Sequence, residues 1–434
     1  MADYDQPMLL PESMRDWLPL DHLVWTVIDV VSQMDLSAMR DLYRPDGKGG
    51  AAYDPQMMVT LLLYAYTQGE HSARKISRLT HENVAFRVAA GNMTPDHSTI
   101  SRFRVTHEVQ LRELFIHSLR VCAAAGLVDV GVVALDGTKI KADASGFRNV
   151  DKKRLQEMID AYFTQCRNDD DDDDRTNTTG EDLANSDRRL AVLMAAQEKI
   201  AQIEAEEDRV YAEKVAARDA RIAAGNRMGG PIKHPRESKN YRPPKVNLSD
   251  PDSKIMKTVN GFVQGYNLQA VADSHQVIVA VDVCAQSNDC YQLAPMVDLA
   301  TTNLKTVGCN PPARVLADAG YCQEKDFVTL GKSYPKTELF VSTKGANITQ
   351  LKTVGPIPKN ATVLQLMDRK MRTKRGKDRY KPRKWMIEPV FSRLKHNLKL
   401  KSLNRTGLKT ARLEALLTAA AHNILKYFQH AQTA

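Results

Sequence analysis

The sequence predicts an α/β fold in which a mixed five-stranded sheet with helices follows an all-helical segment and is interrupted by a helical insertion. Three observations carry that prediction. Short apolar runs bounded by turn residues lie at 131–140, 261–272, 277–283, 313–317 and 339–342, as buried strands require. Apolar residues recur at helical spacing up to about residue 128 and again over 410–428, which marks helices with one buried face. Between the first two strand runs, roughly 149–250, the chain turns to Ala, Glu, Lys and Arg with sparse apolar residues.

The 434 residues leave room for two or three domains, and 43% hydrophobic content suffices for ordinary cores. The divisions expected are a helical domain over 1–128, an α/β core from 129–148 and 251–434, and the insertion over 149–250. No run is long enough to span a membrane. Asp3, Asp5, Glu12 and Asp16 stand where a signal peptide would be basic and then apolar, so a cytoplasmic protein is expected. Six cysteines show neither a CxxC pair nor zinc spacing, which points to reduced thiols.

In chain order, Leu23, Val27, Val30 and Val31 open one amphipathic helix. A second starts at Asp54-Pro55, a cap followed by proline at the first helical position, and stops at Gly69. A short basic segment over 72–89 precedes PDHSTISRFR at 95–104, whose cap is Asp96 or Ser98. Short helices with Arg74, Lys75, Arg78, Arg102 and Arg104 outward suit a helix-turn-helix-like DNA reader and a plain bundle equally well.

GVVALDGTKI at 131–140 reads as a buried strand delivering Asp136 where the chain leaves the core, although Asp-Gly is also an ordinary turn signal. In the insertion, Asp169–Asp174 reads as a disordered acidic loop. Leu190, Leu193, Ile200, Ile203 and Val210 mark a long helix, a spacer or oligomerisation arm, and 228–251 a basic linker. Two alternating runs form a hairpin at Asp273-Ser274, a helix follows over 291–304, and ARVLA at 313–317 ends in Asp318-Ala319-Gly320. A second buried strand thus delivers an aspartate with small residues beside it.

Between Arg369 and Arg405 fifteen Lys or Arg face two acids, Asp378 and Glu388, while the whole chain carries only +9. Charge so concentrated is a footprint for phosphate backbones or, more blandly, a solvated basic face. Carboxylates without His or Cys favour Mg²⁺ or Mn²⁺, and two such ions about 4 Å apart suit phosphodiester chemistry. On that reading Asp136, Asp318 and Glu388 hold metal and the cations hold DNA. Asp143, Asp282, Glu324 and Asp326 are weaker alternatives, better explained as strand-edge, turn or helix-start residues.

LDGTKIKADAS at 135–145, VLADAGY at 315–321 and RKWMIEPVFSRLK at 383–395 resemble the three acid motifs of bacterial insertion-sequence DDE transposases, in the branch with a tyrosine-arginine-glutamate-lysine signature. PDHSTISRFR and AAAHNILKYF at 419–428 are similar to family sequence too. The resemblance implies an RNase H-like core, a metal triad of Asp136, Asp318 and Glu388, and a signature lysine at Lys395. Family spacing puts the signature arginine at Lys384, with Arg383 one residue early and Tyr380 separated from Lys384 by three residues instead of two. Tyr380, Arg383, Lys384, Arg393, Lys395, Lys399, Arg102 and Arg104 are the expected DNA contacts. The activity implied is Mg²⁺- or Mn²⁺-dependent cleavage at terminal inverted repeats, with two ions, and joining of the 3′-hydroxyl to target DNA. It would be carried out by a homodimer or higher oligomer bound at the nucleoid, with no membrane partner. An RNase H-like endonuclease without joining, or an inactive transposase-derived DNA-binding protein, are the alternatives.

Overall fold

The computed structural model describes residues 13–43, 52–171, 180–225, 230–258 and 261–433, with the backbone alone for 166–171 and 180–186. The described residues form two compact units, one from 1–140, 267–404 and 409–434, the other from 141–266 and 405–408. The N-terminal helices therefore share a unit with most of the sheet, and the inserted unit is wider than the 149–250 expected from composition.

Among the described residues of the first unit, seven α-helices come before the sheet: α1 (Leu23–Ser32), α2 (Ser37–Arg40), α3 (Pro55–Thr67), α4 (Ala73–Glu82), α5 (Val84–Ala89), α6 (His97–Thr106) and α7 (Glu108–Ala124). Asp54 caps α3 by accepting from the Gln56 N–H, and Asp96 caps α6 through the Ser98 N–H, each satisfying a donor that the first turn leaves unpaired. Gly69 ends α3 at φ +68°, and a Cβ there would come 2.7 Å from the Asn397 carbonyl oxygen. Glycine is needed for both reasons.

Arg104 departs from its expected exposure. It is only 2% exposed because Ile100, Phe103, Arg104 and His107 share the inner face of α6 and the turn after it. Its Nη1 donates to the His71 carbonyl at 2.8 Å, and its guanidinium lies 5.5 Å from the centre of the Tyr66 ring. That places Arg104 in the core, out of reach of DNA, whereas Arg102, Arg74 and Arg78 are exposed.

The strands are β1 (Val133–Lys141), β2 (Asn149–Asp151), β3 (Lys245–Asn247), β4 (Lys254–Thr258), β5 (Gly261–Asp273), β6 (Ile278–Cys284), β7 (Arg314–Ala317) and β8 (Glu338–Val341). In the main sheet β6 pairs β5, and the order continues β5-β1-β7-β8. β5 and β6 are antiparallel, whereas β1 pairs with β7, and β7 with β8, in parallel. These are the five expected strands; β4 adds a sixth by pairing with the opening half of β5 in the second unit.

Helices α8 (Lys152–Asp171) and α9 (Gly180–Ala223) also belong to the second unit. Leu155, Ile159, Tyr162, Leu193, Ala196 and Ile200 pack with Val150 of β2 and Val246 of β3 into a small core. The acidic run starts inside α8, which continues to Asp171 where a loop was expected, and its remainder, 172–174, lies outside the described residues. In the basic stretch Pro235–Glu237 is a short turn of helix, and β3 pairs with β2. Residues 228–229 lie outside the described residues.

The first unit closes with α10 (Leu293–Thr306), α11 (Glu324–Ser333), α12 (Val363–Arg372), α13 (Lys374–Tyr380), α14 (Arg383–Ser392), a widened π turn over Arg393–Asn397, and α15 (Leu408–Ala431). The Asn423 side chain accepts from the Ile278 N–H and donates to the Ile278 carbonyl, both at 2.9 Å. It thereby pairs the β6 edge, whose free backbone groups would otherwise be left unpaired in the interior. Tyr66 donates to buried Glu414 at 2.5 Å, joining α3 to α15. The five described cysteines are free thiols.

His422 is 1% exposed, with Nε2 2.8 Å from the Gln276 carbonyl. Burial drives its pKa down from 6.5 to about 3, partly opposed by that hydrogen bond. With the folded value depressed, the unfolded chain binds the extra proton first, so the contribution is complete above the unfolded pKa and lost as pH falls. The parent should lose stability relative to His422→Gln by up to about 1.4 kcal/mol per pH unit between pH 6.5 and 3. Paired denaturant titrations across that window read the difference, and parallel curves would refute it.

Candidate active site

β1 and β7 pair in parallel as Val133↔Val315, Ala134↔Leu316 and Leu135↔Ala317. One step beyond the last pair come Asp136 and Asp318, so the register alone sets the two acids side by side. β1 does not end at Asp136 as expected; it continues to Lys141 with β5 as its other neighbour. Asp136 is thus held on a strand, while Asp318 caps a short helical turn over Ala319–Tyr321 by accepting from the Gly320 N–H at 2.9 Å.

Arg383, the first residue of α14, closes over the pair. Its Nη1 lies 2.9 Å from Asp136 Oδ2, and both side chains are largely buried. Burial raises the Asp136 carboxyl above its ordinary range; Arg383 and the Gly137 N–H oppose, and Asp318 adds to the rise. Asp318 is raised for the same first reason, against the Gly320 N–H and Arg383, with Asp289 adding to the rise. Tyr380 is bonded by Arg383, and its phenol is raised by burial and by the two aspartates. Tyr380 ends α13 and Arg383 starts α14, so the break at Lys381-Pro382 brings the two together. Lys384, at the family's spacing, is exposed.

Under the acids lies a buried polar floor. Asp289 Oδ1 accepts from Asn267 Nδ2 at 2.8 Å and Gln269 Nε2 at 2.7 Å, and Lys139 Nζ is 3.7 Å away. The Tyr321 hydroxyl donates to Gln269 Oε1. A Cβ on Gly137 would fall 2.4 Å from Gln269 Nε2 and 2.6 Å from Asp289 Oδ1; one on Gly320 would be 3.3 Å from Asp289 Oδ2. Gly137 and Gly320, one and two residues after the aspartates, therefore leave room for a single third carboxylate, Asp289.

Two family models match the chain: a transposase domain (DUF772) over residues 12–106 and a transposase DDE domain over 231–424. The chain belongs to the DDE transposases. The DDE match takes in Asp318 and Glu388 but starts after Asp136. No curated protein and no solved structure matches the chain. The DDE domain identifies the sheet of this transposase as an RNase H-like core. Among the described residues no helix is long and apolar enough to cross a membrane.

Glu388 of the transposase lies on α14 with Arg383, but it is exposed and makes no hydrogen bond or ion pair among the described residues. No group of three or more His, Cys, Asp or Glu residues placed to hold a metal occurs among them. The structure thus brings together two of the three expected acids and leaves the third apart. DDE transposases use divalent metal ions, and the chemistry of the pair fits one: two oxygen donors share a buried site that already draws in a cation, Arg383.

Lys395 is half-buried in the widened turn, where burial and then Lys401 and Lys139 depress its ammonium pKa. Arg393 is bonded to Gln429, and Lys399 pairs with Glu70 at 2.9 Å while staying 55% exposed. Tyr380 also lines a groove of about 740 Å³ with Thr343, Lys344, Arg372, Lys377 and Lys381. Of the weaker alternatives, Asp282 is paired with Arg412, Glu324 and Asp326 lie in the first turn of α11, and Asp143 belongs to the second unit.

Asn267, Gln269, Asp289 and Lys139 were not foreseen as site residues. The first two look like ordinary polar positions in a strand, and Asp289 like a loop acid. The only sequence trace was the pair of glycines following the aspartates, which signals close approach without naming what approaches.

Proposed function

We propose that this transposase cuts DNA at the ends of its own element and joins the freed 3′-hydroxyl to target DNA, with Asp136, Asp318 and Glu388 holding divalent ions. The observation that carries the reading is the Asp136–Asp318 register with Arg383 and Tyr380 closed over it. Bound divalent ions would activate the attacking oxygen and stabilise the leaving one. The chain's own groups supply the rest. Arg383 is a bidentate donor suited to a phosphate as well as to Asp136, so it can pass from carboxylate to DNA when the site fills. Tyr380 steadies that guanidinium, and Lys384, Lys395, Lys399 and the basic helices α12–α14 grip the backbone. Arg102 offers an outer contact on α6.

A labelled element end incubated with plasmid and Mg²⁺ or Mn²⁺ tests the reading: cut ends and joined products are expected. Cutting without joining would indicate an endonuclease, and binding without either a DNA-binding descendant, a reading that the exposed Glu388 favours. Arg383→Gln should raise Mn²⁺ affinity of the DNA-free protein by about tenfold, since a competing charge leaves the carboxylates, and slow cutting. Calorimetry reads the first effect, and unchanged or weaker Mn²⁺ binding would remove Arg383 from that role.

A further inference from the structure

The second unit holds a groove that the acids do not use. Lys141–Arg148 line one side and Ser249 with Phe262–Gln264 the other, around about 890 Å³. Two phenylalanines on it are open to solvent, Phe147 at 101% and Phe262 at 76%. A lone exposed phenylalanine is unremarkable, but two lining one groove beside cations are a pattern.

Phe147 is presented by a tied turn. The Asn149 side chain donates to the Gly146 carbonyl at 2.7 Å, Asn247 donates to the Ser145 carbonyl at 2.8 Å, and the Leu248 N–H donates to the Arg148 carbonyl at 3.1 Å. The turn is therefore fixed while its ring points outward, so little order is lost when a partner covers it. Phe262 pairs across the hairpin with Lys257, which puts a cation beside that ring on the same face. Arg148 is held on the groove wall by Ser249 at 2.9 Å, and Lys141 adds a second positive charge against one lining acid, Asp143.

We propose that this groove stacks unpaired DNA bases, with Phe147 and Phe262 as platforms and Lys141, Arg148 and Lys257 following the phosphates. Rings flanked by cations match a strand that offers a flat face and a charge at each nucleotide. A closed duplex stacks its base faces on one another, so the occupant is a strand opened at an element end. The inference rests on the chain acting on DNA and is independent of the cutting and joining chemistry.

The test uses the full chain with three probes: a single-stranded oligonucleotide, a blunt duplex, and a duplex with an unpaired flap, each carrying a fluorescent base analogue. Phe147→Ala/Phe262→Ala should lose about tenfold in affinity for the single strand and the flap, as stacking platforms do. Blunt-duplex affinity should hold, and the salt dependence should be unchanged, because rings release no counterions. Lys141→Gln/Lys257→Gln should instead flatten the salt dependence. Parental single-strand affinity in the double phenylalanine variant overturns the proposal. So does an equal loss on all three probes, or loss of self-association by sedimentation with DNA affinity intact, which would make the face a contact between copies. Failure of the wild type to cut while these binding differences persist would count against the proposed chemistry alone.

Discussion

Asp318→Ala is expected to leave DNA binding intact and to slow strand cutting by a factor on the order of 10³ or more, since metal-borne charge stabilisation is worth several kcal/mol. The carboxylate is next to Asp136 because Leu135 and Ala317 are partners in the β1–β7 register. Its own fold role is small: one hydrogen bond from the Gly320 N–H at a short turn, a loss of about 1 kcal/mol. Grip on DNA is assigned to cations on α12–α14 and beyond, which the substitution does not touch, so binding and chemistry should separate. A mobility-shift titration beside a cleavage time course measures both. Near-parental cutting by Asp318→Ala would remove this residue, and with it the aspartate pair, from the chemistry. Glu388→Ala decides the part of the third acid: an equal loss makes it a partner of the pair, and retained cutting leaves the two aspartates as the site.

Gly137→Ala should be the most damaging single methyl in the site. The new Cβ would come 2.4 Å from Gln269 Nε2 and 2.6 Å from Asp289 Oδ1. Neither side chain is free to swing away, because Gln269 is fully buried and bonded by Tyr321, and Asp289 is held by Asn267 and Gln269. Any relief moves Asp289, whose other oxygen lies close to Gly320 beside Asp318. Overpacking of this kind costs about 1–3 kcal/mol, and disturbing groups that orient a metal ligand slows reactions by roughly 10–100-fold. Thermal unfolding, cutting rate and DNA affinity should therefore show a lowered midpoint, slower cutting and unchanged binding. Parental cutting would mean that the polar floor does not position the acids. Gly320→Ala, with its nearest contacts at 3.1–3.4 Å, should have a milder effect in the same direction.

The five core strands, the caps at Asp54 and Asp96 and the stop at Gly69 were legible in the sequence because each is written within a few residues. Strand runs are short and β-rich, a cap needs a side-chain oxygen before a helix, and a left-handed stop needs glycine. The motifs holding Asp136 and Asp318 were legible for a similar reason, as an acid with a small residue near it at the end of an apolar run. Burial of Arg104 was not legible from residue type, since an arginine faces inward only when a carbonyl and aromatic faces from other elements are there to receive it. Nor could spacing choose between Arg383 and Lys384: a break between two helices put Arg383 against Asp136, and no fixed interval describes a break.

Local order, the acidic and basic segregation along the chain and the residue types for oxygen-ligand chemistry were therefore determined by the sequence by itself. Only the tertiary structure decided which acids meet, since pairing of β1 with β7 unites residues 136 and 318 across the chain, while the direction a helix faces leaves Glu388 exposed. The tertiary structure also revealed the floor of Asn267, Gln269 and Asp289. Contacts between distant residues follow from strand register and helix orientation, which depend on how every element packs at once, whereas a cap or a turn depends on its neighbours alone.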